Sequence, residues 1–215
     1  ASGTGTFTIQ APNSNTDRVL SLPDEAGTVL TSASDVASSQ LPSGSQILIS
    51  EDADGASGID ELDITLPSSG YDHFILVVNG YYHSTGAETW FRFWESGVVK
   101  SGASDYGAQV IGRRNGVGTN GRSSNAESYM RTNWYGPGDS SGEPSDILVY
   151  IFNTNKTAVK SSISGFVNGI AADSNISSNW FNGIRNALTA AEKIQLGCTA
   201  GTFAYSNHQL YGVKS

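Results

Sequence analysis

The chain has 215 residues, enough for one sizeable core, with 38% hydrophobic residues, only 15% charged residues and 25 glycines. Its net charge of −8 speaks against a nucleic-acid partner, because phosphate binding draws on concentrated Lys and Arg. The single cysteine, Cys198, excludes an intrachain disulfide, and no run of about 18 apolar residues marks a membrane span.

The composition is heavy in Ser, Asn, Thr and Gly, which favour turns and strands over helices. The opening ASGTGTFTIQ has no basic stretch followed by an apolar run, so the expectation is a protein made and assembled in cytosol, without a signal peptide. Residues 1–35 hold three short strand-like pieces, TFTIQA, RVLSLP and GTVLTS, separated by turn residues. Three such strands cannot close a core alone, so this segment is read as an arm that must lean on another surface. Residues 36–58, rich in Ser, Ala, Gly and Asp, read as a linker.

From residue 59 to 215 the strand signals are dense: ELDITLP, HFILVVN, ETWFRFWE, ESYMRTNW, SDILVYIF, AVKSSISGFV, EKIQLG and a closing strand within FAYSNHQLYGVK. About eight strands punctuated by Gly, Asn, Ser and Pro predict an all-β fold, a jelly-roll-like antiparallel β-sandwich preceded by the extended N-terminal arm. The period of two carried to the last residues makes the C-terminal strand integral to the sheet. Residues 112–126, polar and Gly-rich, read as a long surface loop. ALTAAEK at 187–193 reads as a loop or as a turn or two of helix with a capping-box spacing from Thr189 to Glu192.

In ETWFRFWE, alternation puts Phe91 and Phe93 on one face, toward the core, and Trp90, Arg92 and Trp94 on the other. That second face reads either as a sugar-stacking platform or as an interface or second packing layer, since Trp and Arg are enriched at both. A single strand does not define a sugar site, so the second reading is preferred. Trp134, Tyr135 and Trp180 extend either. Arg113, Arg114, Arg122 and Arg131 form a basic cluster placed on the surface, free to pair with an acidic neighbour or to stay solvated.

The acidic string EDADGASGIDELD contains Asp52-x-Asp54-Gly55, a fragment of a calcium loop without its third aspartate or closing glutamate. A solvated turn is the expectation, with Asp52 and Asp54 as the only metal candidates and no cofactor. Glu61 and Asp63 begin a pattern similar to that of jelly-roll glycanases of the laminarinase kind, but Thr65 and Leu66 stand where the second acid belongs. Glycan hydrolysis is therefore a minor alternative, and no catalytic residue is assigned. His73, His83 and His208 lie in no spacing that names a nucleophile or a metal, Cys198 reads as a small buried hydrophobe, and Asn155 and Asn175 head glycosylation-like triplets of no weight.

LDITLPSSGYDHFILVVNGYYHSTGAETWFRFWESG, SDILVYIFNTNKTAVKSSISGFVNG and the ending LYGVK together resemble a family of tailed-bacteriophage virion proteins over most of residues 60–214. The arm, with LSLPDEAGTVL, resembles a short module of phage fibre and decoration proteins. The resemblance implies a non-enzymatic structural protein on the virion surface, often trimeric. Its arm would grip the major capsid protein or another virion protein. Head decoration or cement is preferred over a tail-fibre or receptor-binding module that recognises a host surface glycan.

Overall fold

The structure, a computed structural model, describes residues 41–85, 87–133, 142–171 and 174–215. The chain divides into two units, residues 1–37 and 38–215. The N-terminal arm expected at 1–35 lies outside the described residues, as do Trp134 and Tyr135.

Residues that alternate apolar and polar fold into strands because a pleated chain sends neighbouring side chains to opposite faces. The fifteen strands among the described residues, with no helix, run β1 (Gln46–Asp52), β2 (Ala56–Ile59), β3 (Glu61–Thr65), β4 (Tyr71–His83), β5 (Thr89–Glu95), β6 (Val98–Val99), β7 (Tyr106–Arg114), β8 (Gly118–Glu127), β9 (Met130–Arg131), β10 (Ser145–Phe152), β11 (Ser162–Ile170), β12 (Ile176–Arg185), β13 (Lys193–Cys198), β14 (Phe203–Tyr205) and β15 (Asn207–Lys214). The larger, ten-stranded sheet is ordered β1-β15-β4-β10-β11-β12-β7-β8, with β14 bridging β2 and β4. The smaller sheet is β3-β13-β5-β6, with β9 beside β5. The strand pairings among the described residues are antiparallel, and the two sheets pack as a jelly-roll-like sandwich.

The core lies between them. Phe74, Leu76 and Val78 of β4, Ile147, Val149 and Ile151 of β10, and Phe181 of β12 face Ile64, Phe91, Phe93, Ile194 and Leu196 of the smaller sheet. The rings of Phe91 and Phe181 meet across the layers with centroids 6.2 Å apart. Tyr106 ties the layers with its hydroxyl, which accepts from the Phe93 amide (2.8 Å) and donates to the Lys100 carbonyl (3.0 Å). Beside it, Arg185 of β12 donates to Glu95 of β5 (Nε–Oε1 2.7 Å, Nη2–Oε2 3.2 Å) and to Asp105 (3.0 Å). This buried ion pair satisfies both charged ends with hydrogen bonds, the condition for tolerating them in an apolar layer.

The closing strand β15 lies between β1 and β4, so it is paired on both sides, one strand in from the edge of the larger sheet. Two expectations are corrected, and at 187–193 the loop alternative is the one found. Of the supposed linker 36–58, residues 46–52 and 56–58 belong to β1 and β2; Ser, Asp and Gly are tolerated there because β1 is an edge strand with one face in water. The loop expected at 112–126 is mostly a hairpin of β7 and β8, turning at residues 115–117. Strand β8 is the opposite edge of the sheet and stands over solvent, so its Ser, Asn and Gly residues need no apolar alternation. No helix forms at 187–193: Ala191 and Glu192 donate backbone bonds to Thr154 and Trp94, and the Glu192 carboxylate accepts from Gly97 (2.9 Å) instead of capping Thr189.

Candidate functional site

On the smaller sheet, Trp90, Arg92 and Trp94 of β5 face away from the core, as alternation requires, but this face is closed by its own chain. Trp90 is only 4% exposed. The Arg92 guanidinium covers its ring at 4.1 Å, the Tyr129 ring lies 6.1 Å away, and a Cβ on the facing Gly197 would come within 2.3 Å of it. Arg92 also donates to the Ser128 carbonyl (3.1 Å). Trp94 donates its indole N–H to Asp63 (3.2 Å) and carries the Lys193 ammonium over its ring at 4.8 Å. Trp90 therefore offers no free ring to a sugar or to a partner; it forms a second packing layer on its own sheet.

Of the acidic candidates, Glu61, Asp63 and Asp52 are likewise engaged, whereas Asp54 is exposed. Gln195 of β13 donates to both Glu61 (3.0 Å) and Asp63 (2.8 Å), and Lys193 stands 3.7 Å from Asp63. One oxygen of Asp52 accepts from the backbone of Asp54 (3.2 Å) and Gly55 (3.1 Å), and the other accepts from the Tyr205 hydroxyl (2.8 Å). That hydroxyl, with the two amides, holds the Asp52 carboxyl below its usual value. Gly55 must be glycine, since its φ is +67° and a Cβ would meet the Tyr205 carbonyl at 2.2 Å. No cluster of three or more metal-ligating side chains occurs among the described residues.

His83 is buried, sharing a 2.5 Å hydrogen bond with the Tyr81 hydroxyl and lying 3.3 Å from the Thr89 hydroxyl, and burial lowers its pKa to about 4. His73 packs on Phe152, and His208 edges Tyr205. Cys198 is partly buried and donates to the Gly201 carbonyl, and burial pushes its thiol up. Asn155 donates its side-chain amide to the Tyr71 carbonyl (3.0 Å).

The four arginines grouped by sequence separate. Arg131 is a correction: it is buried, paired with Glu88 and, at 3.8 Å, with Glu127, because β9 lies against β5 inside the fold. Arg122 pairs with Glu127 at 3.3 Å. Arg113 and Arg114, at the end of β7, line a depression of about 590 Å³ shared with Ile176, Ser178 and Trp180 of β12. Trp180 is 53% exposed, the most open tryptophan among the described residues.

Trp180 belongs to the outer face of the larger sheet, where cross-strand pairing aligns side chains into rows. One row is apolar: Val77, Leu148, Phe166, Trp180 and Ile111. The next runs Tyr150, Ser164, Asn182, Gln109 and Ser123, and a third runs Phe152, Ser162, Ile184 and Gly107. The second and third rows bound a trough of about 450 Å³, which also reaches Asn125 of β8. Its floor is low at Ser164 and Ser162 of β11, which lie between the rings of β10 and the Asn182 and Ile184 side chains of β12. Its wall is Phe152, whose ring lies nearly parallel to that of Tyr150 (centroids 6.4 Å apart, interplanar angle 12°). Except for Trp180, none of these residues stands out in the sequence. The signal that could have found them is the outward register of SDILVYIF and SNWFNGIR, which places rings and amides where a solvated sheet would carry charge.

The chain matches no family model, no curated protein and no solved structure.

Proposed function

We propose that this chain is a non-enzymatic bacteriophage virion structural protein, a head decoration or cement protein that attaches through residues 1–35 and displays the sandwich as a knob. The observation that supports it best is where the sandwich spends its reactive groups. Glu61 and Asp63 are bound by Gln195, Asp52 closes a turn, and His83 is sealed beside Tyr81. What faces outward is a broad sheet surface of rings, hydroxyls and amides, suited to contact rather than to bond-breaking chemistry. The phrases LSLPDEAGTVL and LYGVK add the likeness to virion proteins. Homotrimerisation and assembly in the bacterial cytosol are parts of the same proposal.

Quantitative mass spectrometry of purified particles tests it. Hundreds of copies per virion support head decoration, a few to a few dozen point to the tail, and absence from particles overturns the reading. Light scattering of the intact chain should give three times the 22.6 kDa protomer mass, and a lone protomer would remove the trimer. A receptor-binding role is the second reading, favoured by the uncharged trough on the larger sheet.

A further inference from the structure

The trough between Phe152 and Gln109 differs in its chemistry from three other depressions among the described residues, which are lined by Arg113 and Arg114, by Asp54, or by Asp63 and His208. Its lining contains no Asp, Glu, Lys, Arg or His, although the chain carries 32 Asp, Glu, Lys and Arg residues (12 + 20). What it offers instead is a line of neutral donors and acceptors: the Ser164 hydroxyl, the Asn182 and Gln109 amides and the Ser123 hydroxyl, side by side on four neighbouring strands. Asn182 and Gln109 are exposed, and neither side chain has a hydrogen-bond partner among the described residues. Each amide presents two donors and one acceptor oxygen to whatever enters. With strands ~4.8 Å apart, the row from Tyr150 to Ser123 spans about 19 Å, longer than a single sugar ring.

Several occupants are excluded by this inventory. A polyanion would lack cations in the trough, and the protein's net charge of −8 would repel it. A peptide added as a strand needs the hydrogen-bonding edge of the sheet, whereas the trough lies on the flat face of strands β10, β11, β12 and β7 and reaches the face, not the outer rim, of the edge strand β8. An apolar chain would leave the Asn182 and Gln109 amides unsatisfied. A ligand dense in hydroxyls that also has an apolar C–H face answers both sides of the trough: its hydroxyls meet the amides and serines, and its C–H face lies on the part of the Phe152 ring turned to Ser162, the ring being held by Tyr150 and by His73 from β4.

We propose that the trough on the outer face of the larger sheet binds a neutral oligosaccharide, held by Asn182, Gln109, Ser164 and Ser123 and stacked on Phe152. This goes beyond the virion placement and does not depend on it, since the site would hold glycan whether the particle carries the protein on head, tail or not at all.

The test applies the intact chain to an array of neutral glycans (hexose, deoxyhexose and N-acetylhexosamine oligomers), followed by calorimetric titration of the oligomer retained best. Binding should be unchanged between 20 and 500 mM NaCl at about the same affinity, because no charge pairs are made. Asn182→Leu and Phe152→Ala should each weaken it about fivefold or more, the worth of one hydrogen bond or stacking contact. Trp94→Ala, on the smaller sheet, should leave it intact. Asn182 is exposed, so if Phe152→Ala fails to fold, Asn182→Leu with Gln109→Leu carries the test. Retention of no neutral glycan overturns the proposal. So does binding that survives the double leucine variant or that is lost in Trp94→Ala. A fall in oligomeric mass in Asn182→Leu would make the trough a contact between copies and overturn it equally.

Discussion

Strands β5 and β12 both carry a tryptophan on the side turned away from the core, yet they use it in opposite ways. On β5, Trp90 lies under Arg92, beside Tyr129 and against Gly197, whereas Trp180 of β12 stands half in water beside Ile111 and Phe166. The smaller sheet closes its outer face with cations laid over rings and with carboxylates tied to Gln195. Among the described residues, nothing covers Trp180 and the rows beside it on the outer face of the larger sheet. The difference teaches that a ring with an arginine next to it in sequence is a poor sign of a binding platform: the cation two residues along a strand lies on the same face and takes the ring for itself.

The comparison breaks most visibly at Trp90. Trp90→Ala should cost about 3–5 kcal/mol in urea unfolding, the range for emptying a buried aromatic site. If it costs no more than a surface change, the closed face is open in solution. Next comes the tie between the two layers: Arg185→Met leaves Glu95 buried without its cation and should cost about 3–5 kcal/mol.

His83 sharpens the comparison through pH. Its pKa is lowered from 6.5 to about 4 in the folded chain, so the unfolded chain binds the extra proton between those values. The stability contributed by neutral His83 is complete above about pH 6.5 and is lost as pH falls toward about 4, by up to about 3 kcal/mol. Unfolding free energies measured across that window should decline with a slope that is reduced in His83→Phe. Equal slopes in the two proteins would mean that His83 reaches solvent. The lowered Asp52 carboxyl adds a further loss at more acid pH, as it becomes protonated.

Gly197→Ala should cost about 1–3 kcal/mol by pushing a methyl group into the Trp90 ring, and combining it with Trp90→Ala should recover part of that cost. The smallest effect belongs to the open face, where Trp180→Ala should change stability by about 0.5 kcal/mol or less. A larger loss in a light-scattering-verified oligomer would mean that a second copy covers Trp180.

Much of the sandwich was legible in the residues, and the reasons are local. HFILVVN and SDILVYIF read as strands because they are short apolar runs rich in β-branched and aromatic residues, and the closing LYGVK reads as the strand that it is, but in a continuous apolar run only the structure tells that Phe74, Leu76, Val78, Ile147, Val149 and Ile151 are the ones facing the core. The second half of the hairpin was hidden because β8 lies at an edge and buries almost nothing, so period-two apolarity, the signal for a strand, is absent from TNGRSSNAE. The trough was illegible for a related reason. Gln109, Asn182 and Ser164 lie up to 73 residues and five strands apart in the chain but are neighbours in register, and no local pattern encodes that adjacency.

From its residues alone, this protein's class follows: a chain poor in charge, rich in turn residues and alternating to its last strand can bury its apolar side chains only as a sandwich. Which of its tryptophans would be free, which arginines would be buried and where uncharged amides would gather were decided by strand order and register. Those are properties of pairing between distant segments, and pairing settles which polar groups find partners inside the fold and which are left facing water.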